Sequence, residues 1–282
     1  MSEKEKIITD SAATAAPVVA DTAEDGSVRR RRRIYVLSVG FDPLSPEEAA
    51  ESLFLAASRK KEGNGGERLP FTVVTPNPIS VMKARNDPEL ADALSDADLS
   101  IPDGTGIVGA AKRAGTPLPA RVTGIDTAEE VISRLAVTGG SLYIYGGKPG
   151  RAAEASAALA EKYRGLKIAG YADGYSEDMD AAAGKIAEAA PDLLAVCLGV
   201  PEQEIWLARH RKELAGTGAA IAAGGAVDVW SGHLGRAPEL FRRLRIEWLW
   251  RMLRQPSRLR GLPAMAEFRL LTRRVRPRRK GE

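Results

Sequence analysis

The sequence has very little cysteine and no long hydrophobic run. Its single cysteine, Cys197, excludes an internal disulfide framework and is typical of proteins in a reducing compartment. The chain contains no apolar stretch of about 18 residues or more, so we expect no membrane-spanning helix. Residues 1–33 lack the apolar segment of a secretory signal and end in charged residues. We therefore expect a cytoplasmic protein.

Histidine is equally scarce, which limits the metal chemistry that can be expected. The two histidines, His210 and His233, share no short metal-ligand spacing with each other or with Cys197. Asp96 and Asp98 form a D-x-D sequence, which is the metal and nucleotide motif of many sugar transferases. This pair falls where a helix should end and a strand begin, so a capping or solvent-facing role is favoured. We predict no metal site and no cofactor.

Charge is distributed unevenly along the chain, whose net charge is +4. Residues 242–282 contain 14 Arg or Lys and three Glu, so this end carries +11 and residues 1–241 carry −7. A mildly acidic body with a basic end indicates contact with an anionic surface, either phospholipid or nucleic acid. The basic end lacks the regularly spaced aromatic residues of RNA-stacking platforms, which favours a membrane surface over nucleic acid. A solvated tail is the alternative.

Strand-like and helix-like segments alternate through the middle of the chain. The predicted strands are 34–40, 71–75, 98–102, 141–147, 166–170, 192–199 and 219–225, with helices at 46–60, 151–164, 177–190 and 202–215. Nearly continuous apolar strands separated by helices predict an α/β fold. We expect a Rossmann-like, mostly parallel sheet covered by helices on both faces.

The two ends of the chain differ from this body. Residues 1–33 lack sustained periodicity and predict a disordered extension. The α/β body then spans residues 34–240. Residues 241–282 are aromatic and arginine-rich, include Trp248 and Trp250, and contain no further strand. They predict a helical basic appendage that packs beside the body and associates with the membrane.

A glycine-rich turn follows the third predicted strand. Gly104, Gly106 and Gly109 form G-x-G-x-x-G, and Asp126 lies about twenty residues further on, as in dinucleotide-binding folds. A nicotinamide-dependent oxidoreductase is therefore the alternative function. The motif follows the third strand instead of the first, and Asp103 would repel a pyrophosphate, which weighs against this interpretation. The N–H groups of the Gly104 turn are still suited to an anion.

Polar residues in several other loops are candidates for chemistry. Asp103 is predicted either to act as a catalytic carboxylate at a strand end or to cap the helix that starts near Thr105. Arg121 and Asp126 share one loop, where they would bind a phosphate and a sugar hydroxyl or else form a loop salt bridge.

Two later loops offer further candidates. Gln203 lies at the start of a helix that follows a predicted strand. Gly225 allows close approach of a ligand, and Asp228 is the only carboxylate in its loop.

Taken in order, several segments resemble the WecG/TagA/CpsF glycosyltransferases, also called glycosyltransferase family 26, across roughly residues 34–260. The matching segments are TPNP (75–78), the run from NDPEL to TGID (86–126), YGGKPG (145–150), DGY (173–175), LGVPEQEIW (198–206), GGAVDVWSGHLGRAP (224–238) and IEWLWRMLRQPSR (246–258). The ordered set is specific even though no single segment is decisive. Residues 1–28 lie outside the resemblance.

The resemblance implies an activity and a set of residues. It implies inverting, metal-independent transfer from a UDP-sugar, of N-acetylmannosamine type or a hexose, to a polyprenyl-diphosphate-linked saccharide in exopolysaccharide or cell-envelope synthesis. Asp103 matches the proposed general base, and Arg251 and Arg258 match arginines that reach the leaving diphosphate. The matching pocket residues are Thr75, Asn77, Arg121 and Gln203.

The expected partners follow from this activity. They are the UDP-sugar donor, the lipid-linked acceptor and the inner face of the cytoplasmic membrane, with self-association suggested by relatives and no nucleic acid. This sequence departs from the pattern at Glu202, where many members have Lys, and the lost positive charge leaves the identity of the donor sugar open. Gln255 also replaces a frequent Glu.

Overall fold

The structure is a computed structural model of the chain. It describes residues 33–59, 69–174, 179–235 and 256–273, together with two short strands near the start. These strands, β1 (Asp21–Thr22) and β2 (Val28–Arg29), pair in antiparallel orientation. Most of the segment 1–33 lies outside the described residues, so its disorder stays a prediction.

The segment 34–40, predicted as one buried strand, is a hairpin. Strand β3 (Ile34–Val36) reverses at Leu37 and pairs antiparallel with β4 (Val39–Phe41), in a sheet separate from the central one. Leu37 adopts a positive φ of 55°, a conformation that a two-residue hairpin turn normally takes at Gly or Asn. Because neither residue is present at this turn, the apolar run gave no sign of it, and the prediction was wrong.

A buried ion pair attaches this hairpin to the body. Arg33 Nε donates to both carboxylate oxygens of Asp42, at 3.2 and 3.3 Å, and the same guanidinium donates to the carbonyls of Ser95 and Ala97. Asp42 also accepts the N–H of Ser100 at 2.7 Å. Burial raises the pKa of Asp42, and the Arg33 guanidinium opposes this rise. The pair therefore ties the hairpin to the edge of the central sheet.

The central sheet has six strands, all parallel, as predicted. They are β5 (Phe71–Val74), β6 (Leu99–Ser100), β7 (Ser141–Gly146), β8 (Lys167–Ala172), β9 (Leu193–Cys197) and β10 (Ala219–Ala222). Their order across the sheet is β6-β5-β10-β9-β7-β8. Strand β10, the last strand among the described residues, lies in the interior of the sheet, so loops that are distant in sequence become neighbours.

Helices connect these strands. They are α1 (Pro46–Ser58), α2 (Pro78–Ala84), α3 (Pro88–Asp96), α4 (Thr105–Arg113), α5 (Gly124–Thr138), α6 (Arg151–Lys162), α7 (Met179–Ala189), α8 (Glu202–His210), α9 (Ala226–Trp230) and α10 (Leu262–Arg273), which follows a 3-10 helix (Pro256–Gly261). Helices α1, α2 and α3 begin at a proline preceded by the side-chain caps Ser45, Asn77 and Asp87. Within the described ranges, no helix is long and apolar enough to cross a membrane.

Helices cover both faces of the sheet, which confirms the predicted fold class. Alternate residues of β9 enter different hydrophobic clusters, with Leu193 and Ala195 on one face and Leu194 and Val196 on the other. The first cluster includes residues of α1, α5 and α6, and the second includes residues of α7 and α8. This alternation explains why the strands read as continuous apolar runs.

The C-terminal helix packs against the body beside the helices that follow β5 and β6. Phe268 of α10 is buried in one cluster with residues of α2 and α4. Arg113 at the end of α4 donates to Thr272 Oγ1 at 3.1 Å. The predicted helical character beyond residue 241 is thus seen at 256–273, while residues 236–255 and 274–282 lie outside the described residues.

Candidate active site

Most of the predicted site residues follow the carboxyl ends of sheet strands. Thr75 and Asn77 come after β5, Asp103 after β6, Gln203 after β9, and Asp228 after β10. Because the strands are parallel, these ends lie along one edge of the sheet, which is the usual ligand-binding edge of open α/β folds.

Thr75 joins the ends of two neighbouring strands. Its Oγ1 donates to the carbonyl of Ala222 at 2.9 Å, and the residue is buried. A Cβ added at Gly124 would lie 2.9 Å from Thr75 Cγ2, so only glycine fits there without a shift. Gly124 begins α5, and this close approach brings the preceding loop, which carries Arg121, beside the end of β5.

Asn77 fixes the start of α2, and the Gly104 turn packs on it. The Asn77 side-chain oxygen accepts the N–H groups of Ile79 and Ser80 at 2.9 and 3.2 Å. A Cβ added at Gly104, whose φ is 149°, would lie 3.1 Å from Pro78 Cδ and 3.9 Å from Asn77 Cβ. The loops after β5 and β6 are therefore in contact at the carboxyl edge.

Asp103 pairs with Arg121 in this same region. The guanidinium and carboxylate are 3.6 Å apart, and their side chains are 26% and 29% exposed. The N–H of Val122 donates to the carbonyl of Pro102 at 3.1 Å, which holds the two loops side by side. The N-cap of α4 is Gly104, so the prediction that Asp103 is the N-cap residue was wrong. Asp103 is thus placed at solvent beside a cation.

Gln203 connects the loops after β9 and β10. It is 2% exposed, and its Oε1 accepts the N–H of Gly224 at 2.9 Å and that of Gly199 at 3.3 Å. Its Nε2 donates to Glu204 Oε1 at 2.8 Å. The side chain therefore sets the relative position of two loops at the carboxyl edge.

The loop after β10 is attached to the loop after β7 by a second ion pair. Gly225 is the N-cap of α9, and Asp228 in that helix accepts from Arg151 Nη1 at 2.8 Å. Asp173, which follows β8, accepts the N–H groups of Gly150 and Ala152 at the start of α6. The N-terminus of α6 is thus closed by a protein carboxylate.

Asp126 bonds to the N-cap residue of α5. Thr123 Oγ1 donates to Asp126 Oδ2 and accepts the Asp126 N–H. This reciprocal arrangement caps the helix. The sugar-hydroxyl role predicted for Asp126 stays a prediction.

The D-x-D aspartates have unlike surroundings. Asp98 accepts the N–H of Thr72 at 2.8 Å and its hydroxyl at 3.0 Å, and it pairs with Arg211. Asp96 is an exposed residue at the end of α3. Across the described part of the chain, no group of three or more His, Cys, Asp or Glu residues is arranged to hold a metal ion. The bonds of Asp98 join β5 to β6.

Comparison with known proteins adds to this geometry. Residues 34–281 match the model of a family described as the glycosyl transferase WecG/TagA/CpsF family. The chain belongs to this family. The match extends beyond the span of resemblance found from motifs alone, which ended near residue 260, so the basic end lies within the family pattern.

Two curated relatives of the WecG/TagA/CpsF family carry the same name, N-acetylglucosaminyldiphosphoundecaprenol N-acetyl-β-D-mannosaminyltransferase. The chain is 35% identical to the Bacillus spizizenii protein over 196 residues, which cover 70% of this chain and 76% of the relative. It is 31% identical to the Bacillus subtilis protein over 204 residues, which cover 72% and 79% respectively. The protein is a glycosyltransferase, as the motifs implied.

The arginines expected at the leaving group lie partly beyond the described structure. Arg251 is outside the described residues, as are Trp248 and Trp250. Arg258 lies within the 3-10 helix Pro256–Gly261, of which the backbone is described at that position. A Cβ added at Gly261 would come within 2.6 Å of Ile79 in α2, so this short helix runs beside the helix that Asn77 caps.

Sequence reasoning missed several residues that organise the edge. Arg151, Asp173 and Gly124 were not singled out, although Arg151 adjoins a quoted motif and the other two lie within quoted motifs. Glu204 was predicted only to lie beside Gln203 near the start of a helix, facing the carboxyl edge. The G-x-G-x-x-G turn follows β6, which is an edge strand of the sheet. The nicotinamide alternative stays a hypothesis that an NADH fluorescence titration would test.

Proposed function

We propose that this glycosyltransferase moves a sugar from a UDP-sugar to a polyprenyl-diphosphate-linked saccharide, with inversion and with Asp103 as general base. The contact between the Asp103 turn and the Asn77 turn, with Arg121 facing Asp103 at 3.6 Å, carries the proposal. Inverting transfer requires a base that takes the acceptor proton while the oxygen attacks the anomeric carbon. Cationic groups must also stabilise the departing diphosphate.

The Asp103–Arg121 pair places a carboxylate beside a cation that can bind a diphosphate. Exposed ion pairs contribute about 0 to 1 kcal/mol, and this one is partly exposed at 3.6 Å. A guanidinium binds a diphosphate through two parallel, charge-assisted hydrogen bonds, which are stronger. We propose that Arg121 binds the diphosphate of the donor and that Asp103 accepts the proton of the acceptor hydroxyl.

Donor and acceptor classes rest on the relatives. The name of these relatives describes transfer of N-acetylmannosamine to N-acetylglucosaminyl-diphosphoundecaprenol, and we propose the same acceptor class for this protein. Exposed Glu202 at the start of α8 leaves the donor open between an N-acetylmannosamine type and a hexose. To identify the sugar, the enzyme is incubated with a panel of UDP-sugars and a short-chain lipid diphosphate saccharide, and the mass of each product is measured.

The decisive test is Asp103→Asn. A positioned general base contributes about 10²- to 10⁴-fold in rate, so kcat should fall by about that factor while UDP binding, measured by calorimetry, persists. Asp96→Asn is the matched control, since Asp96 is an exposed aspartate on the amino side of β6. Near wild-type turnover in the Asp103→Asn variant would refute the base assignment, and loss of activity in the control would reinstate the D-x-D motif.

The C-terminal helical segment offers a surface suited to an anionic membrane. Leu259, Leu262 and Leu270 are 50%, 39% and 51% exposed, and the exposed arginines at 260, 269 and 273 lie among them. Exposed leucines beside arginines combine apolar insertion with attraction to anionic headgroups. We propose that this surface holds the enzyme at the cytoplasmic membrane face and brings Arg251 and Arg258 to the leaving diphosphate.

This part is tested by liposome flotation of full-length protein. Leu262→Ser together with Leu270→Ser should weaken binding to anionic vesicles, because each removes an exposed apolar side chain without disturbing buried Phe268. Val137→Ser, at another highly exposed apolar position, is the control and should bind as the wild type does. Undiminished binding of the double variant would reject the surface.

A further inference from the structure

Glu204 is a buried carboxyl group that the proposed transfer does not use. It is 1% exposed, and its Oε1 accepts from Gln203 Nε2 at 2.8 Å. Among the described residues, no hydrogen-bond partner is present for its Oε2. A buried, incompletely bonded carboxyl group costs stability, so an apolar residue of similar size would serve a purely structural position better.

The bond from Gln203 to Glu204 determines which way the Gln203 amide faces. The two ends of a glutamine amide are nearly equal in shape but opposite in hydrogen-bonding character. Here the oxygen must face the N–H groups of Gly199 and Gly224, so the nitrogen must find an acceptor. Glu204 is that acceptor. With a leucine at 204, the Gln203 amide nitrogen would be buried without a partner. Rotating the amide by 180° would not help, because its N–H groups would then face the N–H groups of Gly199 and Gly224.

The two glycines lie in the loops that shape the carboxyl edge. Gly199 and Gly224 both have positive φ, of 92° and 55°, and each follows the end of a strand, β9 and β10 respectively. The first loop leads into α8 and the second into Gly225 and α9, whose Asp228 pairs with Arg151. Any loosening of the Gln203 amide therefore moves both loops relative to the Thr75 end of β5, which bonds Ala222 of β10.

We propose that Glu204 is a positioning residue for glycosyl transfer, which fixes the Gln203 amide and through it the loops after β9 and β10. This inference rests on the proposed function. The ionised carboxylate should position best, because a hydrogen bond from an amide to a charged acceptor is stronger than one to a neutral acid.

The surroundings of Glu204 make its ionisation relevant near neutral pH. The pKa of Glu204 is raised to about 7, chiefly by burial and to a smaller extent by Glu202, while the hydrogen bond from Gln203 and the charge of Lys83 oppose the rise. Glu204 also lines a cavity of about 350 Å³ together with Asp96 and Arg211. Arg211 is paired with Asp98. A cavity of this size admits several water molecules, which gives the carboxyl group a route for proton exchange.

The test compares Glu204→Gln and Glu204→Leu in the full-length protein, with Glu188→Leu, at an exposed position of α7, as control. Amide hydrogen exchange of peptides 198–204 and 219–226 should accelerate in the Leu variant and stay near wild type in the Gln variant and the control. With the UDP-sugar and lipid acceptor, kcat/KM should fall about 10- to 100-fold in the Leu variant, as expected for misplaced loops. The Gln variant should restore most of it.

The pH dependence of activity distinguishes a positioning role of Glu204 from a role in stabilising the fold alone. Wild-type activity should rise through about pH 7 as Glu204 ionises, and this rise should disappear in Glu204→Gln, whose side chain stays neutral. A persisting rise, unchanged exchange in Glu204→Leu, or a Gln variant as impaired as the Leu variant would overturn the inference. If Glu204→Leu does not fold, the Gln profile decides. If the wild type transfers no sugar from any UDP donor, the proposed function fails, and hydrogen exchange still decides the role of Glu204.

Discussion

Replacing Glu204 by glutamine should change how the stability of this protein depends on pH. Burial raises the pKa of Glu204 to about 7 from an ordinary value of 4.5. Between these values the folded protein holds a proton that the unfolded chain has released, so stability falls as pH rises. One pKa unit corresponds to about 1.4 kcal/mol. Integrated from pH 5 to pH 8, the wild type should lose about 2 to 3 kcal/mol through this group.

The Gln variant removes this loss, since its side chain is neutral at every pH. Urea unfolding of both proteins at pH 5, 6, 7 and 8 gives the free energy of unfolding by linear extrapolation. The difference between variant and wild type should grow by about 2 to 3 kcal/mol across the series in favour of the variant. Burial also raises the pKa of Asp42. Because Asp42 is present in both proteins, its contribution cancels in the difference between their free energies of unfolding. Parallel stability curves would refute the reasoning.

Two further perturbations probe other parts of the structure. Arg33→Met should lower the free energy of unfolding by about 3 to 5 kcal/mol, because it leaves the buried Asp42 carboxylate without its cation. Adding Asp42→Leu to the Arg33→Met protein should recover most of that loss. Urea unfolding measures both effects. Gly124→Ala should cost about 1 to 3 kcal/mol through overpacking and lower kcat/KM, since the new Cβ lies 2.9 Å from Thr75 Cγ2. Unchanged kinetics would show that the position of Thr75 does not matter for turnover.

The parallel α/β fold could be predicted because its strands are recognisable in the sequence. A strand buried on both faces, such as β9, reads as an unbroken apolar run, and helices of suitable length separate these runs. The hairpin at residues 34–41 could not be predicted, because its turn at Leu37 uses an apolar residue with positive φ in place of glycine. Local composition carried no sign of that reversal.

The sequence was sufficient to predict many residues of the candidate site, but not the contacts between them. Several residues quoted from motifs lie at the carboxyl edge because motifs follow strand ends. The pairing of Asp103 with Arg121, and that of Asp228 with Arg151, depends on which loops adjoin one another. Strand β10 inserts between β5 and β9. Loops that are adjacent at the carboxyl edge are therefore far apart in the sequence, and no local sequence pattern predicts that they are in contact.

Aspartates near the strands of this sheet differ in their exposure and in the charged groups beside them, which bears on the proposal that Asp103 is the base. Asp42, Asp98 and Asp173 each accept at least one backbone N–H within 2.8 Å, and a carboxylate fixed in this way cannot leave its partner without exposing an unsatisfied donor. Asp103 faces Arg121 at 3.6 Å and is 29% exposed. During turnover a base must exchange its resting contact for the hydroxyl of an acceptor. Its partial exposure at the carboxyl edge of the sheet leaves Asp103 accessible to such a hydroxyl, which supports the proposed base.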